Sequence, residues 1–251
     1  RGGMGAVYRV DDQLYPGRPT ALKLFLRRVT HSVDLFRAEF KTMASLRHPN
    51  VARVYDFEMV AGLDAFFFTM ELLPGSTLSQ ALRHAGEAES AMTLDGSGES
   101  GEPRPGAPAS GPAATVLPWP DAVELLVPVI RALAYLHKRS VIHFDPKPSN
   151  IMVGPKKPGR QVKVLDFGLA GLRGATGQVM GTPEYLSPEI ARRVKGDHRS
   201  DLYSLGVMAY QLLPGQVPYH TTDSVPRLLL QKTTARAPLA PLLRKAGDAF
   251  R

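Results

Sequence analysis

The chain has 251 residues, of which 43% are apolar and 22% charged, which suits one large domain or two lobes sharing a cleft. It has no cysteine, so disulfide staples and thiolate metal sites are excluded and a reducing compartment is permitted; a cytoplasmic location is expected, with membrane anchoring left open to parts of the protein outside this chain. The net charge of +8 arises from 31 Lys and Arg against 23 Asp and Glu, but the basic residues are scattered without aromatic interleaving, and no nucleic-acid partner is expected.

No apolar run is long enough to cross a bilayer and no signal peptide opens the chain. An initial Arg rather than Met suggests a fragment. Gly2-x-x-Gly5-x-Val7 leads into a β-prone segment, and glycines there let backbone N–H groups approach phosphates, although a plain hairpin turn shares the pattern. Tyr15-Pro16-Gly17-Arg18 signals a turn, and Thr20–Leu26 reads as a strand with Lys23 at its centre, an uncommon place for an ammonium. Leu35, Phe36, Phe40, Met43 and Leu46 share a face of a helix over 32–46, with Glu39 beside it. Strands are expected over 51–57 and 65–72. From about Ala85 to Pro118, Gly, Pro, Ala, Ser and Glu dominate, and a disordered insertion is expected.

Helical periodicity resumes over 121–138, with Pro128 expected to kink the helix or set its first turns apart. Val141–Asn150 follows, reading V-I-H-F-D-P-K-P-S-N. It gathers His143, Asp145, Lys147 and Asn150 on a loop stiffened by Pro146 and Pro148. A carboxylate, an ammonium and an amide held this way suit a metal-bound phosphate; a solvated polar loop is the plain alternative. Short strands are expected over 151–153 and 161–165, the latter ending at Asp166-Phe167-Gly168. Residues 168–189 read as irregular, 201–213 as a helix, and beyond Val225 no clear element emerges.

The order of these motifs resembles the protein kinase superfamily, and most of all the bacterial Ser/Thr kinases of eukaryotic type. Gly2–Tyr8 looks like the end of the glycine-rich loop and T-A-L-K (20–23) like the strand-lysine motif. L-R-H-P-N-V (46–51) looks like the bridge to the next strand and T-M-E-L-L (69–73) like the hinge, with Met70 as gatekeeper. H-F-D-P-K-P-S-N resembles the catalytic loop, D-F-G the metal motif, G-T-P-E-Y-L-S-P-E (181–189) the end of the activation segment, and D-L-Y-S-L-G-V (201–207) the helix supporting the loop. The match spans residue 1 to about Tyr219, apart from the insertion.

The resemblance implies an α+β, two-lobed kinase fold, truncated at both ends. A β-rich N-lobe with one main helix occupies 1–70, and the hinge and a mostly helical C-lobe occupy 71–251. It implies ATP and Mg²⁺ as cofactors and proteins bearing Ser/Thr as substrates, with no membrane segment within the chain. Lys23 would hold the α- and β-phosphates, oriented by Glu39, and Gly2, Gly3 and Gly5 would cover them. Asp166 and Asn150 would bind Mg²⁺. Asp145 would take the proton of the attacking hydroxyl and Lys147 would neutralise the transferred phosphate. Adenine would lie between Val7 and Ala21 above and Met152 below, its edge read by backbone groups of Glu71 and Leu73. Met43, Val54, His143 and Phe167 would form the stack linking the lobes.

Two residues of the loop depart from the family pattern, and Ser187 stands for alanine before Pro188-Glu189. Phe144 replaces the arginine that binds a phosphorylated activation segment, and Pro146 replaces a leucine. Thr176 is the sole hydroxyl between Gly168 and Gly181, so independence from activation-segment phosphorylation is expected. The family's final arginine partner for Glu189 is not found after Pro226. A catalytically weak or inactive nucleotide-binding scaffold is the competing function, and a small-molecule kinase a third; the 181–189 segment, where protein kinases dock a peptide, argues against the latter.

Overall fold

The computed structural model describes residues 6–26, 33–60, 65–93, 116–155, 159–167, 182–219 and 224–249. The small lobe is an antiparallel sheet of β1 (Ala6–Val10), β2 (Thr20–Leu26), β3 (Val54–Met59) and β4 (Ala65–Glu71), in the order β1-β2-β4-β3. The turn between β1 and β2 forms as expected: Gly17 takes φ +80°, and the Arg18 N–H donates to the Tyr15 carbonyl at 3.1 Å. In the sheet, Val7 and Phe68 both lie opposite Lys23, and Met70 lies opposite Ala21. Paired residues share a face, so Val7, Ala21, Lys23 and Met70 all look to one side. Helix α1 (Val33–Ser45) packs on that side, with the Phe40 ring 5.4 Å from Phe57.

Strand β3 starts at Val54, three residues later than the apolar pattern indicated. Competition for backbone partners explains the shift. Val51 bridges to Val164 and the Ala52 N–H donates to the Val164 carbonyl at 2.9 Å, so this stretch belongs to the large lobe.

Beyond the hinge, β5 (Ser76–Thr77), β6 (Ile151–Val153) and β7 (Val162–Val164) form a small antiparallel sheet on the floor of the cleft. Gly75 brings the chain onto that floor at φ +107°, and a Cβ there would lie 2.1 Å from the Val153 carbonyl oxygen. Gly75→Ala therefore combines backbone strain with a backbone clash. It is expected to cost about 3 kcal/mol and to lower Tm by roughly 6–12 °C in a thermal melt.

The large lobe contains α2 (Leu78–Thr93), α3 (Trp119–His137), α4 (Pro188–Ala191), α5 (His198–Leu212), α6 (Val225–Thr234) and α7 (Ala240–Ala249). Three expectations change. Helix α2 continues to Thr93, well inside the stretch expected to be disordered, because alanines and glutamates sustain a helix without a large apolar face. At the other end of that stretch, the Leu117 N–H donates to the Leu212 carbonyl at 2.9 Å and its side chain packs on the core. Residues 94–115 of the expected insertion lie outside the described residues.

Pro128 does not set the first turns of α3 apart: the helix runs on through it, with Leu125, Val129, Ala132, Leu133 and Leu136 all buried. Burial of this apolar stripe outweighs the one missing backbone hydrogen bond. Finally, the region after Val225 is helical. Ser224 caps α6 by accepting from the Arg227 N–H at 3.4 Å, and Pro226 occupies its first turn.

A single buried cluster joins the lobes, from Phe68, Met43 and Val54 through Phe167 and Ile151 to Leu133 and Met208.

Candidate active site

Asp145, Lys147 and Asn150 meet on the loop between α3 and β6. Asp145 is 5% exposed, and the Lys147 Nζ lies 2.8 Å from its Oδ2. The Asn150 amide nitrogen donates to the Asp145 carbonyl at 2.9 Å and approaches its carboxylate at 3.4 Å. Pro148 begins a 3₁₀ turn over Pro148–Asn150, closed by the Asn150 N–H on the Lys147 carbonyl at 2.9 Å. The two prolines thus hold Asn150 folded back over Asp145. Lys147 also donates to the Thr182 hydroxyl at 2.8 Å, which ties the loop to the 182–187 segment.

Asp201 supports the loop from below. This fully buried carboxylate, in the first turn of α5, accepts from the backbone N–H groups of His143 at 2.9 Å and Phe144 at 2.7 Å. The His137 Nε2 lies 2.7 Å from the same carboxylate. Phe144 has φ +63°, a conformation that L residues rarely adopt, and its bond to Asp201 holds it there.

A second charged pair joins β2 to the end of β7. Lys23 on β2 reaches the Asp166 carboxylate at 2.5 Å, with side chains only 11% and 17% exposed. Asp166 adopts φ +56° at the end of β7, and the preceding Leu165 N–H donates to the Asn150 carbonyl at 2.8 Å. Asn150 is therefore the pivot: its side chain serves Asp145 and its backbone positions the start of the Asp166 turn.

For a divalent cation, the donor set fits. The Asn150 amide nitrogen is turned to Asp145, which leaves its side-chain carbonyl oxygen as a hard donor, and the Asp166 carboxylate is a second. Among the described residues no group of three or more His, Asp or Glu converges, so Mg²⁺ held here would draw further ligands from bound phosphate and water.

Ala21 and Met70 are buried on the cleft face, Val7 is 55% exposed at its rim, and Met152 lies on β6 between Thr77 and Lys163. Leu73 is half-buried just beyond β4. At Glu71, the Arg53 N–H that would close the β3–β4 ladder on the backbone carbonyl donates instead to the side-chain carboxylate at 2.7 Å. The same carboxylate accepts from the buried Lys163 Nζ at 2.6 Å, joining the end of β4 to β7. Met43, Val54, His143 and Phe167 are all buried at 5% exposure or less. Gly2, Gly3 and Gly5 lie outside the described residues, as does the side chain of Glu39, whose backbone belongs to α1. The expected pairing of Glu39 with Lys23 is thus outside what is described.

A family model described as protein kinase domain matches residues 1–237. The chain belongs to the protein kinase family. The match runs past Tyr219, where the motifs alone had ended it, and takes in α6. Relatives of this kinase domain include the serine/threonine-protein kinase pkn2 of Myxococcus xanthus, 33% identical over 100% of this chain and 27% of that protein. The serine/threonine-protein kinase pkn3 of the same organism is 34% identical over 99% of this chain and 42% of its own length. PknA of Mycobacterium tuberculosis (strain ATCC 25618 / H37Rv) is 32% identical over 87% of this chain and 46% of its own length. The chain spans less than half the length of these relatives.

In this kinase domain Phe144 is half-buried, and its ring edge lies 3.1 Å from where a Cβ on the buried Gly196 would stand. An apolar ring packed against Gly196 offers no donor to a phosphate. Glu189, expected to meet an arginine, accepts from the Ser200 hydroxyl at 2.5 Å. Burial raises the pKa of this carboxylate, but the hydrogen bond from Ser200 and one from its own backbone outweigh that effect and hold it below the ordinary value. The residue that the motifs missed is Lys232, buried on α6 at 3% exposure. Leu228 and Lys232, four apart after a Ser-x-Pro helix start, are the one trace of it in the sequence.

Proposed function

We infer that this kinase domain transfers the γ-phosphate of ATP to Ser and Thr hydroxyls of protein substrates. The observation that carries the reading is the division of charge in the cleft. Lys23 and Asp166 form one ion pair beneath the small-lobe sheet, and Asp145 and Lys147 form another, which Lys147 links to Thr182 of the 182–187 segment. Phosphoryl transfer asks a protein mainly for positioning and for charge neutralisation, and these two groups supply both.

Lys23 would bind the α- and β-phosphates, separating from Asp166 as they enter. The adenine would lie against Val7, Ala21 and Met152, reading the backbone of Glu71 and Leu73, while Gly2, Gly3 and Gly5 cover the phosphates. Glu39 would take Lys23 as its partner. Asp166 and Asn150 would hold Mg²⁺, which neutralises phosphate charge when bound. Asp145 would accept the proton of the acceptor hydroxyl as its oxygen bonds to the γ-phosphorus. The bond from that phosphorus to the β–γ bridging oxygen breaks, and ADP leaves. Lys147, already on Asp145, would neutralise the transferred group. A cytoplasmic location fits this ATP-dependent reading.

The test is incubation of the full-length protein with γ-labelled ATP, Mg²⁺ and a generic basic protein, followed by phosphoamino-acid analysis. Labelled phosphoserine or phosphothreonine is expected, and none with Lys23→Met. Phe144 and Pro146 motivate the competing scaffold reading. That reading requires nucleotide-dependent thermal stabilisation with no labelled product.

Phe144 carries a second expectation. With no arginine beside Asp145, phosphatase treatment and Thr176→Ala should each leave the rate within about twofold, measured on the same basic protein. Loss of activity in both would mean that phosphorylation acts on the loop by another route.

A further inference from the structure

Lys232 is the most deeply buried cation among the described residues with no carboxylate within ion-pair distance. An ammonium in such a place costs free energy unless its donors are used. They are. The Lys232 Nζ donates to the Glu184 carbonyl at 2.6 Å and to the Leu186 carbonyl at 3.0 Å. Its remaining side faces the rings of Tyr203, 5.1 Å away, and Tyr219, 5.7 Å away. Between those two carbonyls, the Tyr185 carbonyl accepts from the Ser204 hydroxyl at 2.8 Å.

Three successive backbone acceptors of 184–186 are thus held by side chains from α5 and α6. An irregular segment lacks ladder partners for its backbone groups, so side-chain donors decide its shape. Its N-terminal neighbour Thr182 is one lysine away from Asp145 through Lys147. The segment therefore borders the place of the acceptor hydroxyl beside Asp145.

We propose that Lys232 is a positioning residue for the acceptor protein: it fixes the 184–186 backbone against which the residues flanking the target Ser or Thr dock. The inference rests on the Ser/Thr kinase reading above. Burial lowers the ammonium to about 8, with the Glu184 carboxylate opposing the shift, so near neutral pH it is still mainly charged. Retention of the charge at that depth agrees with a group whose hydrogen bonds are used. A methionine of similar volume would fill the space and leave two carbonyls without their donor.

The experiment compares the full-length protein with Lys232→Met and Lys232→Arg on a degenerate peptide library carrying one Ser or Thr. Peptide KM, ATP KM, kcat and Tm are read in parallel. Lys232→Met should raise peptide KM at least tenfold and flatten the preference for residues next to the acceptor, with kcat and ATP KM within threefold. Lys232→Arg, which keeps the cation and its donors, should recover most of the peptide KM. If Lys232→Met melts below the assay temperature, Lys232→Gln, which keeps a donor for one carbonyl, should give the same split at smaller amplitude. An unchanged peptide KM in a folded Met or Gln variant overturns the inference while leaving the kinase reading intact. Absence of transfer by the unsubstituted protein overturns both.

Discussion

Asp145→Ala lowers the rate of phosphoryl transfer by roughly 10²–10⁴-fold and leaves nucleotide affinity within about threefold. The asymmetry follows from placement. The Asp145 carboxylate is held by Lys147 at 2.8 Å and touched by Asn150 at 3.4 Å, on the side of the cleft that faces Thr182. The proposed nucleotide side is a separate pair, Lys23 with Asp166. Removal of Asp145 takes the proposed proton acceptor away and frees Lys147, while Lys23 keeps its place on Asp166 and Ala21 and Met152 keep theirs on β2 and β6. Single-turnover transfer and nucleotide titration on the same preparation measure the two halves of the expectation. A parallel loss of both would mean that Asp145 holds the fold of the cleft rather than the acceptor.

Asp201→Ala acts on the same loop through stability and is expected to cost about 3–5 kcal/mol. Asp201 is fully buried and serves two backbone N–H groups and His137 at once. Alanine leaves the His143 and Phe144 donors buried without an acceptor, each costing about 1–3 kcal/mol. It also removes what holds Phe144 at φ +63°, so the loop can relax out of its strained conformation and carry Asp145 away from Asn150. Denaturant unfolding should show the lost stability. The transfer rate should fall even at temperatures where the variant is folded, because the loop that carries Asp145 loses its support, although Asp201 itself touches no reacting atom. Asp201→Asn, which retains one acceptor oxygen, should lose less on both counts.

The residues proposed to carry the chemistry stand out in the sequence because their spacing is constrained by one loop and one strand end. Asp145, Lys147 and Asn150 lie within six residues, and Asp166 follows directly on an apolar strand. The motif resemblance also pointed to 201–207 as the support for that loop, and Asp201 performs the part. What was not legible depends on contacts between distant segments. The Lys232 ammonium meets carbonyls 46 and 48 residues away, and no local pattern encodes such a meeting. Helix α2 was hidden because its C-terminal half lacks an apolar stripe, and β3 was placed too early because Val51 and Ala52 pair with β7 instead. Glu71 illustrates the same limit. The hinge position was apparent, but its carboxylate capturing Arg53 and Lys163 is a product of register across two sheets.

The division of the cleft between nucleotide and acceptor is tested most directly by one comparison in the full-length protein with Mg²⁺. ATP affinity and single-turnover transfer are measured for the unsubstituted protein, Lys23→Met and Asp145→Ala. Lys23→Met should weaken ATP binding and transfer together, while Asp145→Ala should bind ATP normally and transfer almost none of it. Equal ATP affinity in all three proteins, with no transfer by any of them, would contradict the account and leave a fold that binds nucleotide without using it.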